Sequence, residues 1–300
     1  MWLILALAAY IFFAAATITD KYLLARPFPD ARVYIFYTGI LGIFVLLLAP
    51  FGLEAPSYLV VFVGILAGIV NSAALFLFFL VLKVGEVSRI GISLGGLVPF
   101  FTLLFIYAWT GELPSALQFM AFASLVAGSF VVIFERFINL VHNLKRFAMI
   151  LASSFLFGLY FAVAKFLFLE QSFISAIVWI KIGATLFALF FLLFPSVRKT
   201  IFEHRKTLSK NAGLILISKN AAGGLGAFFQ HVAISLARVS EVSLVNALQG
   251  VQFALVFFAA LFLTKKFPGI IREEVRGEAL AVKFLGTGLI VSGVVILAIS

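Results

Sequence analysis

Lys83-Val84-Gly85-Glu86-Val87-Ser88 and Arg238-Val239-Ser240-Glu241-Val242-Ser243 carry one pattern twice: a basic residue, valine, a small residue, glutamate, valine, serine. The same register lays Gly95 over Gly250. Near the front of each half, Lys21-Tyr22-Leu23-Leu24 is matched by Lys165-Phe166-Leu167-Phe168. Near the end, the run around Gly128 is matched by the run around Gly293, once an insertion before the last span is allowed for. The chain therefore reads as two units, residues 1–136 and 137–300.

Around these matches the sequence is almost continuously apolar. Of 300 residues, 64% are hydrophobic and 11% charged, and the mean hydropathy is +1.21. A soluble domain sits near about half apolar and a quarter charged. Spans of roughly 20 apolar residues cross a bilayer as helices. Ten such spans are expected: 2–24, 32–51, 57–82, 86–109, 115–134, 147–169, 171–194, 211–236, 240–264 and 279–299. Breaks fall at Arg26-Pro27, Pro50-Phe51-Gly52, Gly111-Glu112-Leu113-Pro114, Pro195 and Phe267-Pro268-Gly269, all turn or helix-end residues. Runs without alternation argue against strands, whose open edges cannot face lipid. Five spans per half is odd, so the second half enters the membrane from the opposite side. The expected fold is an all-α integral membrane protein, ten transmembrane helices in two inverted five-helix repeats, with a site near the midplane between them.

Several function classes are excluded or demoted. The chain has no cysteine, which removes disulfides, thiol chemistry and cysteine-ligated metals. Three histidines and no buried acidic cluster give no metal site. No nucleotide-binding loop and no cofactor motif is present. The net charge of +10 sits in short loops and reads as a topology signal rather than a nucleic-acid surface. Met1-Trp2 runs straight into an apolar stretch with neither a basic start nor a small-residue cleavage site, so the first span reads as a retained helix. Gly91-Ile92-Ser93-Leu94-Gly95 matches a nucleophile elbow, but that motif needs a strand-to-helix turn, and Ser93 falls inside an expected helix.

A ten-span chain of two five-span units resembles the drug/metabolite transporter superfamily, EamA-like branch. Asp20-Lys21 ends span 1, Glu86-Val87-Ser88 opens span 4, Pro99 lies within it and Gly111-Glu112 closes it. Span 5 carries Gln118 and Gly128. In the second half Lys265-Lys266 stands where the second glycine–glutamate is expected, and Ala254 replaces the proline. The resemblance implies a non-enzymatic secondary transporter in the plasma membrane, moving a small molecule by alternating access, with membrane lipid as its surroundings. It leaves room for a homo-oligomer and implies no nucleic-acid partner. A non-transporting scaffold or lipid-interaction protein is the alternative reading, and an intramembrane hydrolase a distant third.

Polar residues within the spans suggest where a substrate would bind. Spans 5 and 10 have almost none and are expected at the periphery. Asn71, Lys181, Lys219, Asn220, Asn246, Gln249 and Gln252 are candidate substrate-binding residues. Lys165 is read either as snorkelling from near its helix end or as facing the cavity. A lysine at the bilayer centre costs on the order of 3 kcal/mol, so Lys181 and Lys219 need a partner, water or an anion. Every acidic residue falls near a span end, which leaves this basic cavity without an expected counter-ion. That pattern favours an anionic or zwitterionic metabolite. His231, with an ordinary pKa near neutrality, is the candidate coupling residue. Pro99, Gly95, Gly223 and Gly224 are candidate gating positions.

Orientation divides the evidence. Eighteen of the 22 lysines and arginines fall in the connections after spans 1, 3, 5, 7 and 9, against Arg238 alone on the other side. Basic short loops stay cytoplasmic, so the charge count places both termini outside. The resemblance implies both termini inside.

Overall fold

The computed structural model describes residues 1–28, 30–54, 56–84, 87–134, 144–207, 209–266 and 277–300, without the side chains of 87–93, 132–134, 204–207, 260–261, 264–266, 277–280 and 283. Glu86, Arg136, Arg272, Arg276 and the Phe267-Pro268-Gly269 break lie outside the described residues, as do the side chains of Ser88, Arg89 and Ser93.

The described residues are helical and contain no strand. The helices are α1 (Trp2–Ala25), α2 (Ala31–Leu41), α3 (Tyr58–Val84), α4 (Val87–Thr110), α5 (Ala116–Phe134), α6 (Leu144–Glu170), α7 (Phe173–Phe190), α8 (Pro195–Thr207), α9 (Lys210–Leu236), α10 (Val242–Ala247), α11 (Gln249–Lys266) and α12 (Gly277–Ala298). Among the described residues, seven helical segments are long and apolar enough to cross a membrane, and there are three shorter apolar helices, Leu94–Thr110, Ala116–Val131 and Phe284–Ala298. This is the architecture of a membrane-embedded all-α protein.

Local chemistry sets the helix ends. The Asp30 carboxylate accepts from the Arg32 backbone N–H at 2.9 Å, Ser172 Oγ from Ser175 N–H at 3.3 Å, and Ser209 Oγ from Ala212 N–H at 3.2 Å. Each satisfies an orphan donor of a first turn. Gly111, at φ +71°, turns the chain out of α4 in the left-handed region that a glycine tolerates.

Two expected spans depart from a plain helix. The second tightens after α2 into a 3₁₀ stretch, Gly42–Phe51, that contains Pro50. The ninth is broken: a 3₁₀ turn, Val239–Glu241, leads into α10, and α11 begins after Leu248. The connection after the seventh span, expected as a basic loop, is the amphipathic helix α8. It buries Val197 and Ile201 and exposes Arg198, Lys199 and Phe202. The Tyr37 hydroxyl donates to the Ile201 carbonyl at 3.1 Å, pinning α8 to α2.

Packing exchanges partners between the halves. α1 runs along α9, α6 runs along α3, and α5 lies against α12. At the α5–α12 crossing, a Cβ on Gly128 would come within 2.6 Å of the Gly286 carbonyl and 2.9 Å of Ile290. A Cβ on Gly293 would meet Leu125 at 2.7 Å and the Ala121 carbonyl at 3.1 Å. Each glycine thus faces the residues three and seven positions before the other, and Ser124 Oγ lies 2.9 Å from Ser292 Oγ. Small residues here let two backbones approach.

Candidate functional site

The three lysines read as intramembrane, Lys165, Lys181 and Lys219, each have a different environment. Lys165, on α6, is buried. Its ammonium donates to the carbonyls of Ile234 at 3.2 Å, Ser235 at 3.1 Å and Ala237 at 2.6 Å. Those carbonyls are the open end of α9, where the helix dipole favours a cation. Lys21, its match in the first half, donates to Leu82 O at 2.9 Å and Lys83 O at 3.3 Å, at the open end of α3. Lys165 is therefore a helix cap and does not snorkel.

Lys219, on α9, corrects a second expectation. Its ammonium lies 2.8 Å from the Asp20 carboxylate, with both side chains under a tenth exposed. The cavity's lysine does have an internal counter-ion, because Asp20, five residues before the end of α1, lies within reach of the lysine stem. The Tyr34 hydroxyl donates to the same carboxylate oxygen. The ammonium also sits 5.3 Å from the ring centroids of both Tyr34 and Phe79, a cation–π arrangement. α1, α2, α3 and α9 converge on this pair.

Lys181, on α7, is half-buried. Among the described residues it has no hydrogen-bond or ion-pair partner. Its ammonium is near enough to Lys219 and to His231 to act on both electrostatically. A Cβ placed on Gly42 would touch its stem at 3.9 Å.

The expected amide strip is mostly tied up between helices. Asn246 is buried and donates to Thr102 Oγ1 at 3.1 Å. It accepts from Gln230 Nε2 at 3.4 Å, and Gln230 also donates to the Tyr10 hydroxyl at 3.1 Å. That hydroxyl donates to the Val245 carbonyl at 2.8 Å. Gln252 is buried and donates to Thr17 Oγ1 at 3.0 Å. The strip read as facing substrate is thus corrected for Asn246 and Gln252, which join α10 and α11 to α4 and α1. Helix faces, not spacing, decide this, since Leu248 breaks the helix between them. Asn220 turns back to its own helix, donating to Leu216 O at 2.9 Å. Gln249 and Asn71 are half-buried.

His231 is buried, with Nε2 hydrogen-bonded to the Tyr160 hydroxyl. Pro99 is buried in α4. A Cβ on Gly95 would sit 3.0 Å from the Phe253 ring, so that position is tightly packed. Gly223 and Gly224 are open: a Cβ on the first finds only Ala16 at 3.8 Å, and on the second nothing within 4 Å. Ser93 sits inside α4, not at a strand-to-helix turn.

Sequence reasoning missed Thr38 and Thr185. Thr19, Thr102, Thr110 and Thr200 each donate to the carbonyl four residues back. The hydroxyls of Thr38 and Thr185 are buried and have no partner. Thr38 is one turn from Gly42 on α2, and Thr185 is one turn from Lys181 on α7. Their position four residues from those neighbours was the available signal.

No family model matches the chain, and no curated protein matches it. One solved structure to which it is similar, described as "Crystal structure of protein", aligns with a TM-score of 0.66 over 98% of this chain and 95% of that one, at 19% identity. That likeness concerns the fold.

Proposed function

We propose that this chain is a secondary transporter of the EamA-like branch of the drug/metabolite superfamily. Ten membrane helices form two inverted repeats that rock around a central site in the plasma membrane, carrying a small polar metabolite. The observation that carries this reading is a difference between two seams that the repeat would make alike. The register that lays Lys83 over Arg238 lays Gly68 over Gly223. Gly68 presses α3 onto α7, where its Cβ would lie 1.9 Å from the Ile180 carbonyl, and Gly183 does the same from the other side, at 1.9 Å from Ile65 O. The corresponding pair is α9 against α2, and it is loose: the two helices meet over far less of their length, and Gly223 is open. Inverted repeats in unequal conformations are how such transporters close one side while opening the other. The matched lysine caps and the reciprocal crossing of Gly128 and Gly293 support the repeat itself.

Purified protein in proteoliposomes tests this by exchange of labelled small polar metabolites across a loaded vesicle. Exchange that saturates supports the reading, and its absence across amino acids, carboxylates and amides refutes it. Orientation is testable because the chain lacks cysteine. Ser196→Cys, on the basic side, resists an impermeant thiol reagent in intact cells and Ser57→Cys labels if both termini are outside. The reverse pattern places them inside.

A further inference from the structure

We propose that Lys181, with the hydroxyls of Thr38 and Thr185, binds the single anionic group of a monoanionic substrate. This rests on the transport reading above and narrows it. The three intramembrane lysines do not contribute equally. Lys165 is spent on helix carbonyls and Lys219 is neutralised by Asp20. Lys181 alone among them has neither a counter-ion nor a hydrogen-bond partner among the described residues. An uncompensated ammonium within the membrane is costly to insert, and two buried hydroxyls left without partners add to that cost. Thr38 lies one turn before Gly42 and Thr185 one turn after Lys181, and the two segments that carry them touch at Gly39 and Ala188 and again at Gly42 and Lys181. All three can donate a hydrogen bond. One carboxylate, or another singly charged oxyanion, accepts from all of them.

The same inventory argues against the other charge types. A dianion needs a second free cation, and Lys219 is engaged. A zwitterion adds its own ammonium beside the uncompensated one of Lys181, and neither buried carboxylate is free to offset it. The buried carboxylates among the described residues are Asp20 and Glu241. Asp20 is held by Lys219 and Tyr34, and Glu241 accepts from Gln118 Nε2 at 3.0 Å and from Arg238 N–H at 2.8 Å.

The test is binding to the purified full chain in detergent, by thermal shift and calorimetry. The probes are lactate and benzoate as monoanions, succinate as a dianion, leucine as a zwitterion and benzamide as a neutral control. A monoanion stabilises the protein, and the other three classes do not. Thr38→Val and Thr185→Val each weaken that binding roughly tenfold, the effect of losing a hydrogen bond to a charged group. Lys181→Met abolishes it. Without ligand, all three variants melt at or above the wild-type temperature, because each removes a buried polar group that has no partner. A purely structural role predicts the opposite shift. Binding of succinate or leucine as strong as that of lactate or benzoate overturns the proposal. So does retention of binding in Lys181→Met, or no shift with either monoanion. Binding without exchange in proteoliposomes would sink the transport reading and leave this site standing. Exchange of neutral metabolites with no monoanion binding would do the reverse.

Discussion

The seam between α3 and α7 and the seam between α9 and α2 join segments that one sequence register pairs, yet only the first is closely packed. At the first, Gly64, Gly68 and Gly183 bring backbones into direct contact, and a Cβ on any of them would fall 2.8 Å or less from a neighbouring atom. At the second, Gly223 is free, and the tie is electrostatic: Lys219 on α9 reaches Asp20, which Tyr34 on α2 also holds. The difference teaches that glycine has two uses in one fold. Where two helices already touch, it permits the contact. Where they do not, it leaves open space beside the helix.

The largest expected effect breaks this comparison directly. Gly68→Leu drives a side chain into the Ile180 carbonyl, and α3 and α7 cannot part without opening the core. Overpacking of this kind costs about 3 kcal/mol or more, so the variant fails to accumulate as a monodisperse protein in size-exclusion chromatography. Gly223→Leu accumulates and melts near the wild type. If it too collapses, the second seam is not open.

Next is the tie across the loose seam. Asp20→Asn leaves the Lys219 charge buried and unpaired, a loss of about 3 kcal/mol, seen as a lowered melting temperature. The double variant Asp20→Asn, Lys219→Met recovers most of it. Equal melting of the single and double variants would mean that the pair contributes no coupling.

A smaller effect sharpens the match between the lysine caps. Lys165→Met strips three carbonyls of a buried charged donor and lowers stability by about 2 kcal/mol. Lys21→Met costs less, because Lys21 is only half-buried and its bond to the Lys83 carbonyl is exposed. Reversal of that order would break the equivalence of the two positions.

The smallest concerns the first turns of α2 and α7. Asp30→Ala and Ser172→Ala each remove an N-cap, for about 1 kcal/mol. Melting temperatures of the two single variants should fall by similar amounts.

Much of the fold was legible in the sequence. The apolar runs and the Pro and Gly breaks between them mark most of the helices, because hydrophobicity and backbone punctuation act locally. Two residue pairs that the sequence matches have like surroundings: Lys21 and Lys165 each donate to the carbonyls at a helix end, and Gly128 and Gly293 lie at one helix crossing. The candidate site was less so. Lys181 and Lys219 read alike in the sequence, yet only Lys219 meets a carboxylate. Asn246 and Gln252 were assigned to substrate, although each hydrogen-bonds a neighbouring helix. α8 is not legible as a helix in the sequence, because its charges mask the spacing of Val197 and Ile201.

By itself the sequence determined that this is an all-α membrane protein, and that its intramembrane lysines require compensation, since both follow from the transfer energy of side chains out of water. Only the tertiary structure decided how each lysine is compensated. Asp20 and Lys219 are far apart in the chain, and whether they meet depends on which faces α1 and α9 turn to each other. That choice comes from close contacts such as Gly226 against Phe13 and the Ala9 carbonyl. It is a property of two packed surfaces, and no local pattern of apolar residues encodes it.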